Sequence, residues 1–234
     1  TEIKSPQILI AGCGTGEHSI VTAAKFDNSE ILAIDLSLSS LGYAKRKTRE
    51  LNLENITYMQ ADILNLKKLN KKFDIIESIG VLHHMEDPMS GWKVLADCLR
   101  PNGLMKIGLY SELARQSVVE IRKEIAKSNI SASTPEILRF RTALIKSDKE
   151  SHKQIKSWRD FYSLSELKDL IFHVQEHRFT IPKIKKCIQE LGLTFCGFES
   201  DIAKGFRFKN IDKDTLYDLD QWNKFEQANP RAFS

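Results

Sequence analysis

The apolar run Gln7-Ile8-Leu9-Ile10-Ala11 leads directly into Gly12-Cys13-Gly14-Thr15-Gly16-Glu17, three glycines in five residues ahead of a helical pattern. Glycine is needed where the backbone must turn through positive φ, or approach a neighbour or ligand more closely than a Cβ allows. Glycines at this spacing between a strand and a helix mark the first turn of a nucleotide-binding α/β unit. The third glycine comes one residue too early for the dinucleotide fingerprint G-x-G-x-x-G. Glu17 also stands where a pyrophosphate would want the helix N-terminus free of negative charge. The ligand is therefore expected to carry a positive centre rather than a diphosphate.

The chain from Gln7 to Leu109 alternates short apolar runs with helical patterns, as a doubly wound, mainly parallel sheet does. Strands are expected at Gln7 to Ala11, Glu30 to Asp35, Ile56 to Gln60, Phe73 to Ser78 and Leu104 to Leu109, with helices between them. Trp92, Leu95, Ala96 and Leu99 give one such helix an apolar face, and Pro101-Asn102-Gly103 turns the chain into the fifth strand. Helical patterns then follow one another. Ala114, Val118, Ile121 and Ile125 share a face; Thr134-Pro135 reads as an N-cap followed by proline; Ser163 to Glu166 is a capping box. A helix starting near Thr180-Pro182 carries Ile181, Ile184, Ile188 and Leu191 and ends at Gly192, and Thr194 to Glu199 reads as a sixth strand. The expected organisation is a sheet core over 1–110, a helical insertion over 111–179 covering the sheet's carboxyl edge, and a return to the core over 180–234. Phe206 to Ile211 is a weak candidate for a seventh strand. A chain starting at Thr1 and stopping at Ser234 reads as a piece of a longer protein, truncated before that strand.

The formal charge of +4 is matched by Ser111 to Asp160 alone, where eleven Lys/Arg face seven Asp/Glu; a solvated helical face explains this better than a nucleic-acid surface. The four cysteines are scattered without a C-x-x-C, so neither a zinc knuckle nor a disulfide framework is indicated and a reducing cytosol fits. There is no leader pattern and no apolar run long enough to span a bilayer. His173-Val174-Gln175-Glu176-His177 matches the zinc-protease pattern H-x-x-E-H. It stands at a helix end, and no carboxylate follows at helical spacing to complete a site, so no metal is expected. Its Glu176, His177 and Arg178 read instead as a polar hinge paired among themselves, or as residues facing the acceptor opening.

Asp35 at the end of the second strand is placed to accept ribose hydroxyls, and Gln60-Ala61-Asp62-Ile63 after the third can read an adenine edge and face. Phe73 to Ser78 then leads into Ile79-Gly80-Val81-Leu82-His83-His84. With this order of features the chain resembles class I S-adenosylmethionine (SAM)-dependent methyltransferases. AGCGTGEHS, DLSLSSLGYAKRKT, ESIGVLHHMEDP, GLMKIGLYSELAR and DLIFHVQEHRFT further resemble the domain found behind tetratricopeptide repeats in bacterial proteins, and the rickettsial outer-membrane-protein lysine methyltransferases. The resemblance implies a Rossmann-like fold. It places SAM, with S-adenosylhomocysteine as product, against Gly12, Gly14 and Gly16, with Asp35 at the ribose, Asp62 and Ile63 at the adenine, and Glu77 and Ile79 at the methionine end. Ala11, Cys13, Leu36, Ala61 and His83 adjoin these. His84 is the candidate base and Tyr110 the candidate acceptor-lining residue. The expected activity is cytoplasmic transfer to protein lysine, with a small-metabolite O- or N-acceptor or a non-catalytic cofactor-binding module as alternatives. No nucleic-acid partner and no membrane insertion are expected, and any N-terminal repeats lie outside this chain.

Overall fold

The first strand, β1 (Gln7–Ala11), forms from a run that is apolar throughout because both of its faces are covered: Ile8, Leu9, Ile10 and Ala11 are all buried. The computed structural model describes residues 3–173, 175–199, 205–206 and 213–233. After β1 come α1 (Glu17–Lys25), β2 (Glu30–Asp35), α2 (Leu38–Glu50), β3 (Ile56–Gln60), a 3-10 segment (Ile63–Leu69) and β4 (Phe73–Ile79). A 3-10 turn (Leu82–His84), α3 (Pro88–Cys98) and β5 (Leu99–Gly108) complete the sheet. The strands are parallel in the order β3-β2-β1-β4-β5, so the chain reverses its direction of travel across the sheet at β1. In such sheets a ligand crevice opens where the order reverses, outside the strands' carboxyl ends.

Capping fixes the elements that border this crevice. The Ser37 hydroxyl accepts the Ser40 amide at 3.2 Å to start α2, and Asp87 accepts the Met89 amide at 2.9 Å to start α3 behind Pro88. The expected turn at Pro101-Asn102-Gly103 is a bulge within β5: Phe73 pairs with Leu99 and Ile75 with Leu104, and Asn102 takes φ +62°.

The chain divides into two compact units, Thr1–Leu109 with Gln189–Leu193, and Tyr110–Ile188 with Thr194–Ser234. The second unit contains β6 (Tyr110–Ser111), α4 (Gln116–Lys127), α5 (Thr134–Lys146), α6 (Glu150–Lys156), α7 (Leu164–Phe172), β7 (Arg178–Phe179) and most of α8 (Ile181–Glu190). It also contains α9 (Lys213–Tyr217) and α10 (Leu219–Ala228). β6 and β7 pair in parallel, so the helical segment starts and ends on one two-stranded ribbon. Val118, Ile121, Ile125, Leu144, Ile155, Phe161 and Leu167 are buried together at its core. Among the described residues no helix is long and apolar enough to cross a membrane.

Thr194 to Glu199 is not a strand. Gly197 takes φ +129°, which interrupts the alternation a strand needs, and Phe195 and Phe198 join Trp222 and Phe233 in an aromatic cluster of the second unit. The apolar spacing that suggested a sixth strand serves this cluster. Phe206 is helical and stacks on Trp222 at 4.2 Å, while residues 207–211 of the candidate seventh strand lie outside the described residues.

Candidate functional site

The turn between β1 and α1 is held from below by β2. The Gly12 and Cys13 amides both donate to the Ile34 carbonyl at 2.9 Å, the Gly14 amide donates to Asp35 Oδ2 at 2.7 Å, and the Gly16 amide donates to the Cys13 carbonyl at 2.9 Å. A phosphate-binding loop offers its amides to the ligand. Here the amides of Gly12, Cys13, Gly14 and Gly16 are engaged internally, so the loop is shaped as a floor and not as an anion nest.

All three glycines have positive φ, and each for its own reason. A Cβ on Gly12 would lie 2.1 Å from Val81 Cγ2, and one on Gly16 would lie 2.6 Å from the Ala44 Cβ. Gly12 thus permits the approach of the segment after β4, and Gly16 the approach of α2. A Cβ on Gly14 would meet nothing within 4 Å, and the same holds for Gly80. These two leave room above the sheet.

That room is a cleft of about 570 Å³ lined by Ile10, Gly12, Cys13, Gly14, Thr15, Glu17, His18, Val21, Asp35, Ile79, Gly80 and Val81. The lining contains two carboxylates and a histidine but no lysine or arginine. A cleft of this charge favours a cation and disfavours phosphates. Asp35 is fixed by the Gly14 amide on Oδ2 and the Ser37 amide on Oδ1 at 2.8 Å, and two carboxylate oxygens retain lone pairs for a ligand's hydroxyls. Burial, with the Asp35 charge alongside, pushes the Cys13 thiol up to about 12, so it stays protonated and packs as a small apolar group.

The structure gathers Gly12, Cys13, Gly14, Asp35 and Ile79 of the expected cofactor residues around this cleft, with Ala11 buried beneath. Leu36, Ala61, Asp62 and Ile63 continue from its β2 side: Ala61 donates to the Asp35 carbonyl at 3.1 Å, the Gln60 side chain donates to the Leu36 carbonyl at 2.9 Å, and Leu36 itself is exposed. Asp62 accepts the Leu64 amide at 2.9 Å, capping the segment that follows.

Three of the expected cofactor residues make contacts within the protein. Glu77 does not line the cleft but pairs with His18 at 2.8 Å and accepts the Thr22 hydroxyl at 3.0 Å. His83 is 1% exposed, with the ring of His84 on its edge at 4.3 Å, so it packs inside the 3-10 turn. Gly16 packs against α2. His18, Val21, Thr15 and Val81 were missed; the turn of α1 that follows a glycine loop is the signal that could have found His18.

Tyr110 belongs to the second unit, with the Arg115 guanidinium 3.5 Å from its ring centre. Burial raises its phenol above the ordinary value despite Arg115, so it remains a neutral hydroxyl at physiological pH. The two histidines of HVQEH do not share a helix: α7 ends at Phe172, His173 caps it in an extended conformation, and Val174 lies outside the described residues. The Glu176 side chain is fully buried between Arg115 at 2.8 Å and Arg122 at 2.9 Å, with Arg178 at 3.9 Å. A carboxylate so enclosed cannot activate a metal-bound water. It ties this segment to Arg115 and Arg122.

Residues 8–103 match the family described as Methyltransferase domain. The Synechococcus protein syc1184_c is 27% identical over 245 residues, spanning 96% of this chain and 57% of its own length. The ubiquinone biosynthesis O-methyltransferase of Coxiella burnetii is 33% identical over 101 residues, 43% of this chain and 42% of its own. Among solved structures, PKMT2 from Rickettsia typhi in complex with AdoHcy shares the fold over 99% of this chain and 48% of its own, with a TM-score of 0.71 at 18% identity. The chain thus spans about half the length of these relatives.

Proposed function

We propose that the chain is a class I SAM-dependent methyltransferase and that it transfers methyl groups to lysine side chains of a protein substrate, a reading supported by the match of residues 8–103 to a methyltransferase domain. The observation that carries the cofactor half of this reading is the cleft's chemistry: internally engaged loop amides, Glu17 and Asp35 in the lining, and open space above Gly14 and Gly80. A sulfonium nucleoside meets those conditions and a dinucleotide diphosphate does not. The likeness in fold to PKMT2 supports the acceptor half, because it extends through the second unit, where acceptor specificity resides in folds of this kind.

When bound, SAM supplies an electrophilic methyl on a positively charged sulfur. Asp35 would hold the ribose hydroxyls, Leu36 and Ile63 the adenine face, and Asp62 its amino edge. Ile10, Val21, Ile79 and Val81 would keep water from the methyl. A lysine acceptor with an ordinary pKa near 10.4 must lose its proton at a cost of roughly 4.6 kcal/mol at pH 7. Desolvation in an apolar pocket lowers that cost. His84 is the proposed base, and Tyr110, held neutral by burial, the proposed hydrogen-bonding partner of the acceptor. The proposed site of action is the cytoplasm.

The Coxiella O-methyltransferase favours a second reading, a small oxygen acceptor, over 43% of the chain. A transfer assay with methyl-labelled SAM on an outer-membrane protein, free lysine and small phenols separates the two. Label on protein lysine, abolished in Asp35→Ala, is the expected result. Label confined to phenols overturns the lysine reading.

A further inference from the structure

Tyr110 meets a guanidinium because of how the ribbon runs into α4. Tyr110 pairs with Arg178 across β6 and β7, and the Arg115 amide donates to the Ser111 carbonyl at 3.2 Å, turning the chain from β6 into α4. That turn sets the Arg115 guanidinium 3.5 Å from the centre of the Tyr110 ring, the contact distance of a stacked cation, with the Trp158 ring centre at 5.7 Å. Arginine stacks in this way because its fork is planar and delocalised, where a lysine offers a point charge on a flexible stem. A guanidinium keeps such a place only if its other side is held, and the Arg115 side chain is almost wholly buried. Glu176, two residues ahead of β7, holds it: the Oε2 atom accepts from Arg115 at 2.8 Å and from Arg122 at 2.9 Å.

Arg115 and Arg122 lie seven residues apart, two turns along one face of α4, so a single carboxylate reaches both. Arg122 is fixed in turn on the Leu170 carbonyl of α7 at 2.8 Å, and Glu112 takes Arg178 at 3.1 Å, which leaves Glu176 Oε2 to the other two. The rest of this face packs through Val118, Ile121 and Ile125, which are apolar and buried. Charges buried at the head of such a face cost more than apolar packing would, so stability is a weak account of them. What they do is end a chain of contacts, from Leu170 through Arg122, Glu176 and Arg115, on one face of the Tyr110 ring. We propose that Arg115, held by Glu176, is a positioning residue for methyl transfer, fixing the orientation of the Tyr110 ring whose hydroxyl meets the acceptor. This rests on the methyltransferase reading, in which Tyr110 is the acceptor's hydrogen-bonding partner, and it gives the one acidic residue of HVQEH its task.

Steady-state kinetics of the whole chain, on whichever acceptor of the assay above the wild type labels, test it beside calorimetric titration with S-adenosylhomocysteine. Arg115→Met removes the guanidinium and keeps most of the side chain's length; it should lower kcat/KM for the acceptor about tenfold and leave S-adenosylhomocysteine affinity unchanged. Tyr110→Phe keeps the ring and loses the hydroxyl, and should lower kcat/KM by a similar factor. Arg115→Met placed in Tyr110→Phe should then cost nothing more, since no hydroxyl is left to orient. Arg115→Lys, which keeps a charge for Glu176 and with it the fold, loses the stacking fork and should show the same pattern with a smaller loss. Losses that multiply in the double variants, wild-type kcat/KM in Tyr110→Phe or in both Arg115 variants, or an equal loss of cofactor affinity would overturn the proposal. A wild-type chain that binds S-adenosylhomocysteine but labels no acceptor leaves no transfer to position and overturns it too. One that binds no S-adenosylhomocysteine would overturn the methyltransferase reading itself.

Discussion

Gly12, Gly14 and Gly16 share a sequence signature, and the structure gives them separate tasks. Gly12 and Gly16 admit other parts of the protein, and Gly14 leaves space for a ligand. Alanine at Gly14 carries the strain of a left-handed backbone, about 1 to 2 kcal/mol, with no clash. Alanine at Gly12 adds a Cβ 2.1 Å from Val81 to a comparable strain. Thermal unfolding should therefore show Gly14→Ala folded and modestly destabilised, with S-adenosylhomocysteine binding lost. Gly12→Ala should be much the less stable of the two. Equal stability, or retained binding in Gly14→Ala, would contradict the assignment. That the chain turns tightly between β1 and α1 was legible from the glycine spacing. The division of labour was not, because it depends on Val81 and Ala44, which the fold brings from distant positions in the chain.

At the level of elements, β1, β2 and β4 could be read because central strands covered on both faces are largely apolar, and the edge strands β3 and β5, which bury no residue fully, followed from their place in the alternation with helices. The stretch 194–199 misled for the same reason: Phe195 and Phe198 offer an apolar pattern, but Phe195 packs on Phe198, and Phe198 on Trp222 and Phe233. The ribbon of β6 and β7 was invisible, since two residues a side carry no periodicity. Ser111 of that ribbon donates to Glu226 of α10 at 2.6 Å, closing the second unit across 115 residues of chain. Burial raises the Glu226 carboxyl, with the Ser111 hydroxyl opposing only in part. A raised folded-state value means that the stability linked to this group is fully present below the ordinary glutamate value. It is lost as pH climbs through the raised one. Glu226→Gln, which still accepts from Ser111, should match wild type in acid and become the more stable protein as pH rises across that interval. Chemical denaturation from pH 4 to 8 checks this; a constant difference between the two proteins would contradict it.

For the molecule as a whole, four strands of the sheet unit were legible nearly to their boundaries, while β5 begins at Leu99 and not at the expected Leu104. Glu77 and His83 were expected beside the cofactor from the resemblance; in the structure Glu77 pairs with His18, and His83 is buried with the His84 ring on its edge. HVQEH resembled a metal motif only while Arg115 and Arg122, some fifty to sixty residues upstream of Glu176, were out of view. The chain's proposed function rests on one property of the cleft, a lining with Glu17 and Asp35 and without lysine or arginine, from which a preference for a nucleoside with a positive centre is expected. The most direct measurement is calorimetric titration of the whole chain with SAM and, separately, with NAD. Saturable binding of SAM at one site per chain, abolished by Asp35→Ala, and no binding of NAD are the predicted results. Binding of NAD in preference to SAM, or SAM binding indifferent to Asp35, would contradict that preference.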